Sequence, residues 1–186
     1  MDSTWKIVKE SLSSEVLSIS GGTVAGLGLA KITGTLEAFP GMIIMVPGFM
    51  ALRGNILGAL AARIGTALHT GLIEPKMVFD KRVKLNILIS LFLSTFVNML
   101  IGIFSYLSCI IMQVEGAVLW KLALLGAISG AVASILVGPF VIFLSIIIFK
   151  KGVDPDNVMG PIVTSIGDIT AVISLFLVAQ LILWVS

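Results

Sequence analysis

The chain has 186 residues, 58% of them hydrophobic and only 12% charged, with a net charge of +2 and a mean hydropathy of +1.14. Soluble domains carry about 25% charged residues, so this composition excludes an ordinary soluble protein and reads as one all-α integral membrane domain. The basic residues are scattered, which argues against a nucleic-acid partner. One cysteine and one histidine give no basis for an internal disulfide or for a zinc or iron–sulfur centre.

At the start, Trp5, Val8, Leu12 and Val16 recur at helical spacing opposite Lys6, Lys9 and Ser13. This pattern predicts an interfacial amphipathic helix over residues 1–14, with a helical extension of the first span as the alternative. Glu10 and Glu15 interrupt the approach to the apolar run, and no clear cleavage site follows, so a signal peptide is not expected. Residues 15–186 then form the predicted transmembrane domain of five spans. The first runs from about Glu15 to Gly34 and the second from about Ala38 to Leu72, interrupted at Pro47-Gly48 and at Arg53-Gly54-Asn55. The third runs from about Leu85 to Gln113, the fourth from Leu122 to Phe149 and the fifth from Pro155 to Trp184. The third and fourth exceed the ~20 residues needed to cross a bilayer, so they should tilt or project.

Lysine and arginine set the orientation. Lys6 and Lys9, then Lys76, Lys81, Arg82 and Lys84, then Lys150 and Lys151 all fall on one side, against Lys31 and Lys121 on the other. The positive-inside rule puts the N-terminus in the cytoplasm and the C-terminus outside. Small residues recur every fourth position as Gly22, Gly26, Ala30; as Gly54, Gly58, Ala62, Thr66; and as Gly126, Gly130, Ser134, Gly138. Such rows let helix backbones approach closely, and packing is the expected role in the first and fourth spans. In the third span Asn86, Ser90, Ser94 and Asn98 form one face suited to interhelical hydrogen bonds.

Polar chemistry gathers in the second and fifth spans. Pro47 withdraws the partner of the Ile43 carbonyl, and Asn55 offers an amide oxygen. Arg53 is out of place beside a cation path and should turn away from it or pair with an acid such as Glu37. Arg63 is expected to snorkel or pair near the cytoplasmic end, and His69 reads as an interfacial residue rather than a ligand. The fifth span opens on Asp154 as N-cap and Pro155 as first helical residue. Asp168 lies 12 residues beyond Asp156, ~18 Å along the axis and near the middle of a ~30 Å hydrocarbon core. A carboxylate at that depth costs at least ~2.5 kcal/mol and ordinarily faces a protein interior or a wet path. Asn157, Pro161, Thr164 and Asp168 recur at intervals of four, three and four, which groups hard oxygen ligands for a hydrated divalent cation on one face. A polar seam that only binds helices together is the alternative. Gln180 reads equally as a pore-mouth or a packing residue. No Ser/His pair, metalloprotease motif or multi-aspartate motif suggests an enzyme.

The segments VPGFMALRGNILGALAARIGTALHTG (46–71) and DPDNVMGPIVTSIGDITAV (154–172) resemble the two pore-lining helices of the MgtE magnesium-transporter family, above all its eukaryotic solute-carrier branch and archaeal half-length relatives. The resemblance covers nearly the whole chain. It implies a multi-pass protein of the cell membrane, a homodimer whose central pore is lined by spans two and five. Asp168 would engage Mg²⁺ through retained water, Asn55 and Thr164 would line the same path, and Asp154 would sit near the cytoplasmic mouth. With Asn157 these make the expected metal-facing set; Pro47, Gly54, Gly58, Pro161 and Ser165 complete the expected pore wall. Bacterial members carry glycine and glutamine where this chain has Arg53 and Ala59, and their regulatory cytoplasmic domains have no counterpart here. Eukaryotic relatives contain two copies of the unit, so one copy should pair with a second chain. Sodium- or proton-coupled exchange of a divalent cation, and a non-transporting membrane scaffold, are the alternative functions.

Overall fold

A computed structural model describes residues 2–75 and 80–185. Lys76, counted above among the loop cations, and the side chains of Lys6 and Glu10 lie outside the described residues. The described residues form six helices: α1 (Asp2–Lys31), α2 (Thr33–Ala38), α3 (Met42–His69), α4 (Lys81–Ile111), α5 (Leu119–Lys150) and α6 (Pro155–Val185). The starts of α4 and α6 are written locally. Asp80 accepts from Arg82 N at 2.8 Å, and Asp154 accepts from Asp156 N at 3.0 Å just before Pro155. Each carboxylate thus satisfies a backbone donor that the helix cannot.

Four helices are long and apolar enough to cross a membrane: α3, α4, α5 and α6. The first expected span falls in α1, which is not among them. Lys9, Glu15 and a run of serines dilute its first half, yet it is one unbroken rod from Asp2 to Lys31 with no joint near residue 14. The second span also differs from expectation, because α3 continues through Pro47-Gly48 and Arg53-Gly54-Asn55 without a break. Pro47 lies in the second turn, where its missing N–H removes a single backbone bond. The glycines that follow are held by neighbours: Gly48 lies against Ile101 and Gly54 against Thr164.

Close backbone approach fastens α4 to α5. A Cβ on Gly126 would overlap the Asn98 carbonyl, and one on Gly102 would overlap the Leu122 carbonyl. Ser94 Oγ donates to Gly130 O at 2.8 Å, and Arg63 donates to Asn86 Oδ1 at 2.8 Å and Ser90 Oγ at 3.1 Å, so the polar row of the third span bonds between helices. The turn into α3 depends on Gly41, whose φ of +86° and proximity to Cys109 and Leu122 leave no room for a side chain.

The small-residue row of α1 corrects the expected register. Gly21 meets Ser165 and Gly28 meets Val172, while nothing lies within 4 Å of a Cβ on Gly22 or Gly26. Gly21, the buried Ala25 and Gly28 form the packed stripe against α6. Two adjacent glycines offered two possible stripes, and spacing alone does not choose between them.

Candidate functional site

The seam between α3 and α6 carries the polar residues. Gly54 and Gly167 lie where the two helices cross: a Cβ on Gly54 would stand 3.4 Å from Thr164 Oγ1, and one on Gly167 would stand 3.4 Å from Arg53 Cβ. Beside this crossing a cavity of about 470 Å³ is lined by Met50, Ala51, Gly54, Asn55, Thr164 and Asp168. Asp168 is half-buried, and no hydrogen bond or ion pair among the described residues engages its carboxylate or the Asn55 amide. The Thr164 hydroxyl donates to Gly160 O at 3.0 Å, which leaves its lone pairs available to the cavity.

Further along the seam, a cavity of about 230 Å³ is lined by Gly58, Ala61, Ala62, Pro155, Asp156, Met159 and Gly160. Asp168, Thr164, Gly160 and Asp156, spaced every fourth residue, therefore face the seam over ~18 Å of α6. At its end stand His69, Asp154 and Asp156, whose ligand atoms lie within 4.8 Å of one another. His69 Nε2 is 3.2 Å from Asp154 Oδ1, and its ring packs edge-on against Phe149. These are oxygen and imidazole donors of the kind that hold divalent cations.

The expected residues divide accordingly. Asp168, Thr164, Asn55 and Gly54 meet at one cavity, and Gly58 lines the next. Asp154 caps α6 and joins His69 at the end of the seam. Asn157 and Pro161 line neither cavity, and the Asn157 carbonyl that Pro161 deprives of its helical partner accepts a 3.5 Å bond from Ser11 of α1. Ser165, expected on the pore wall, is instead buried against Gly21 of α1 at 6% exposure. Pro47 is exposed on the α3 face that continues through Ala51 and Asn55. His69, read from the sequence as interfacial, is exposed as expected, but its approach to Asp154 and Asp156 was not foreseen; Gly65 leaves room for the acid, since a Cβ there would stand 2.8 Å from Asp156 Oδ1.

Arg53 does turn away from the cavity, but not to Glu37. It is 2% exposed, donates from Nη2 to Gly130 O at 2.8 Å and lies 4.9 Å from the Phe49 ring centroid. Gln180 donates to Thr35 Oγ1 at 2.8 Å, a packing bond between α6 and α2.

The outer face of α3 is unlike the rest of the surface. Other helices expose large apolar residues such as Phe92, Phe104, Leu136, Phe143 and Leu177. Between Ile43 and Leu72, α3 exposes no large hydrophobic residue; Pro47, Ala51, Asn55, Ala59, Ala62 and Thr66 occupy that face.

Comparison with known proteins shows the family. The family model for MgtE, described as a divalent cation transporter, matches residues 46–178. Solute carrier family 41 member 3 of Mus musculus is 30% identical over 69% of the chain and 27% of its own length. Its Rattus norvegicus counterpart is 29% identical over 83% of the chain and 34% of its own length, and Solute carrier family 41 member 2 of Mus musculus is 28% identical over 86% and 29%. The chain thus spans about a third or less of these relatives. The match takes in the whole α3–α6 seam from Gly54 to Asp168, and the chain belongs to the MgtE family, a family of multi-pass membrane transporters rather than enzymes.

Proposed function

We propose that this chain transports divalent cations, Mg²⁺ in particular, across a membrane as a homodimer whose pore lies between the α3–α6 seams of the two copies. The observation that carries this reading is the shared cavity of Asp168, Thr164 and Asn55 beside the Gly54 crossing. Mg²⁺ holds its water tightly and demands octahedral geometry at ~2.0–2.1 Å, so a wide site with one carboxylate per copy suits a partly hydrated ion. Two facing Asp168 carboxylates would offset the ion's loss of bulk solvent.

The face of α3 supports the dimer. A surface meant for lipid carries large apolar side chains, whereas this one is small and polar from Pro47 to Thr66. Small residues favour close approach of a second helix, and polar ones favour water. Five spans follow if α1 crosses as well, which its packing along α6 from Gly21 to Gly28 favours. On that count the N-terminus is cytoplasmic, the C-terminus lies outside, and the His69–Asp154–Asp156 cluster marks the cytoplasmic mouth. The first turns of α1, up to Ser14, would then continue that span out into the cytoplasmic membrane interface.

Mg²⁺ flux into proteoliposomes holding the wild-type chain tests this reading. Flux that follows the Mg²⁺ gradient supports it, and none in a folded, reconstituted protein removes it.

A further inference from the structure

Arg53 is a buried cation that the transport path does not use. On α3 it packs against α5 and α6, and what faces it is neutral: the Phe49 ring, the Gly130 carbonyl and the backbone of Gly167. No carboxylate among the described residues lies within salt-bridge distance of it, and its Nε, fully buried, has no hydrogen-bond partner. The same interior holds a second orphan, Asn98 Oδ1, whose amide nitrogen is committed to Ser94 O at 2.6 Å. A role as a brace on Gly130 O does not account for this. A neutral donor would make that bond, Ser94 Oγ already makes it at 2.8 Å, and an unpaired buried charge is among the most destabilising arrangements in a fold.

The location supplies the missing reason. Arg53 precedes Gly54, which lines the Asp168 cavity, and its Cβ packs against Gly167, the residue before Asp168. The side chain then runs away from the cavity toward α5, behind the wall the ion would pass. We propose that Arg53 is a built-in counter-charge to the Asp168 cavity, weakening the hold on a divalent ion so that the ion is released. This inference rests on the transport reading above and adds to it a residue that sets how tightly the ion is held. In a dimer the two guanidiniums balance the two Asp168 carboxylates when no ion is present. When Mg²⁺ enters, each guanidinium repels it. At on the order of 10 Å and an effective dielectric near 20, one unit charge acting on a divalent ion changes affinity by roughly a hundredfold, and a wet cavity screens part of that.

The test is Mg²⁺ flux in proteoliposomes as a function of Mg²⁺ concentration for the wild-type chain, Arg53→Met, Arg53→Gln and Arg53→Lys. Methionine fills the site without charge, and glutamine keeps a donor for Gly130 O. The neutral variants are expected to lower the KM for Mg²⁺ at least tenfold and to lower maximal flux as well, because the ion leaves more slowly; lysine should stay within about threefold of wild type. A merely structural role would lower maximal flux without lowering KM. Unchanged KM in folded neutral variants overturns the proposal. So does a lysine variant that behaves like methionine, and so does a pair of neutral variants that fail to fold while lysine folds. Absence of flux in the wild type would instead remove the transport reading itself.

Discussion

Gly54 and Thr164 face each other where α3 crosses α6, and a single added carbon on the glycine would stand 3.4 Å from the threonine hydroxyl. That crossing sets the width of the seam beside Asp168. Alanine at Gly54 adds an ordinary van der Waals contact and should leave folding intact. Leucine must extend into the 470 Å³ cavity, so Gly54→Leu is expected to abolish Mg²⁺ flux while shifting the melting temperature by only a few degrees. Equal loss of flux and of folded protein would show that the crossing serves stability alone.

The α4–α5 interface predicts the opposite pattern. A Cβ at Gly126 runs into the Asn98 carbonyl, and backbone cannot move aside as a flexible side chain can. Gly126→Ala is expected to cost about 1–3 kcal/mol of stability, read as a lowered melting temperature in detergent. Gly22→Ala and Gly26→Ala, which meet nothing within 4 Å, should be neutral in the same assay.

Between α1 and α6 the expectation is a coupled pair. Gly21→Ala collides with Ser165 Cβ and Oγ and should destabilise by about 1–3 kcal/mol. Ser165→Gly removes both atoms, so the double variant should recover most of that loss in a double-mutant cycle. Additive losses would mean that α1 does not pack there.

Much of this was legible in the sequence. Asp168, Thr164 and Asn55 stood out because an acid within an apolar helix is rare, and intervals of three and four put residues on one helix face. The caps at Asp80 and Asp154 are local, but only the latter was read. The rest depended on which helix lies against which. Ser165 is one residue from Thr164, yet that step of about 100° turns it from the cavity to α1. The Gly22 row failed for the same reason, since Gly21 serves equally well by composition. Pro47 and Gly54 suggested a broken helix, but tertiary contacts from Ile101 and Thr164 carry α3 through both sites. His69 lies 85 residues from Asp154 and further still from Asp156 in sequence, and only the folded seam joins them.

Asp154 both caps α6 and meets His69. Asp154→Ala should lose the cap, worth about 1 kcal/mol, and raise the KM for Mg²⁺ if the mouth cluster gathers cations. Asp154→Asn keeps the cap acceptor and removes the charge, so it should keep stability and still raise KM. A KM unchanged in both variants would confine Asp154 to the cap.

The most direct measurement is Mg²⁺ flux in proteoliposomes for the wild-type chain and Asp168→Asn, at matched protein incorporation. Asparagine keeps the size and oxygen of the side chain and removes only its charge. Flux reduced at least tenfold, with folding preserved, is the predicted result. Flux equal to wild type would contradict the role given to the carboxylate in the α3–α6 cavity.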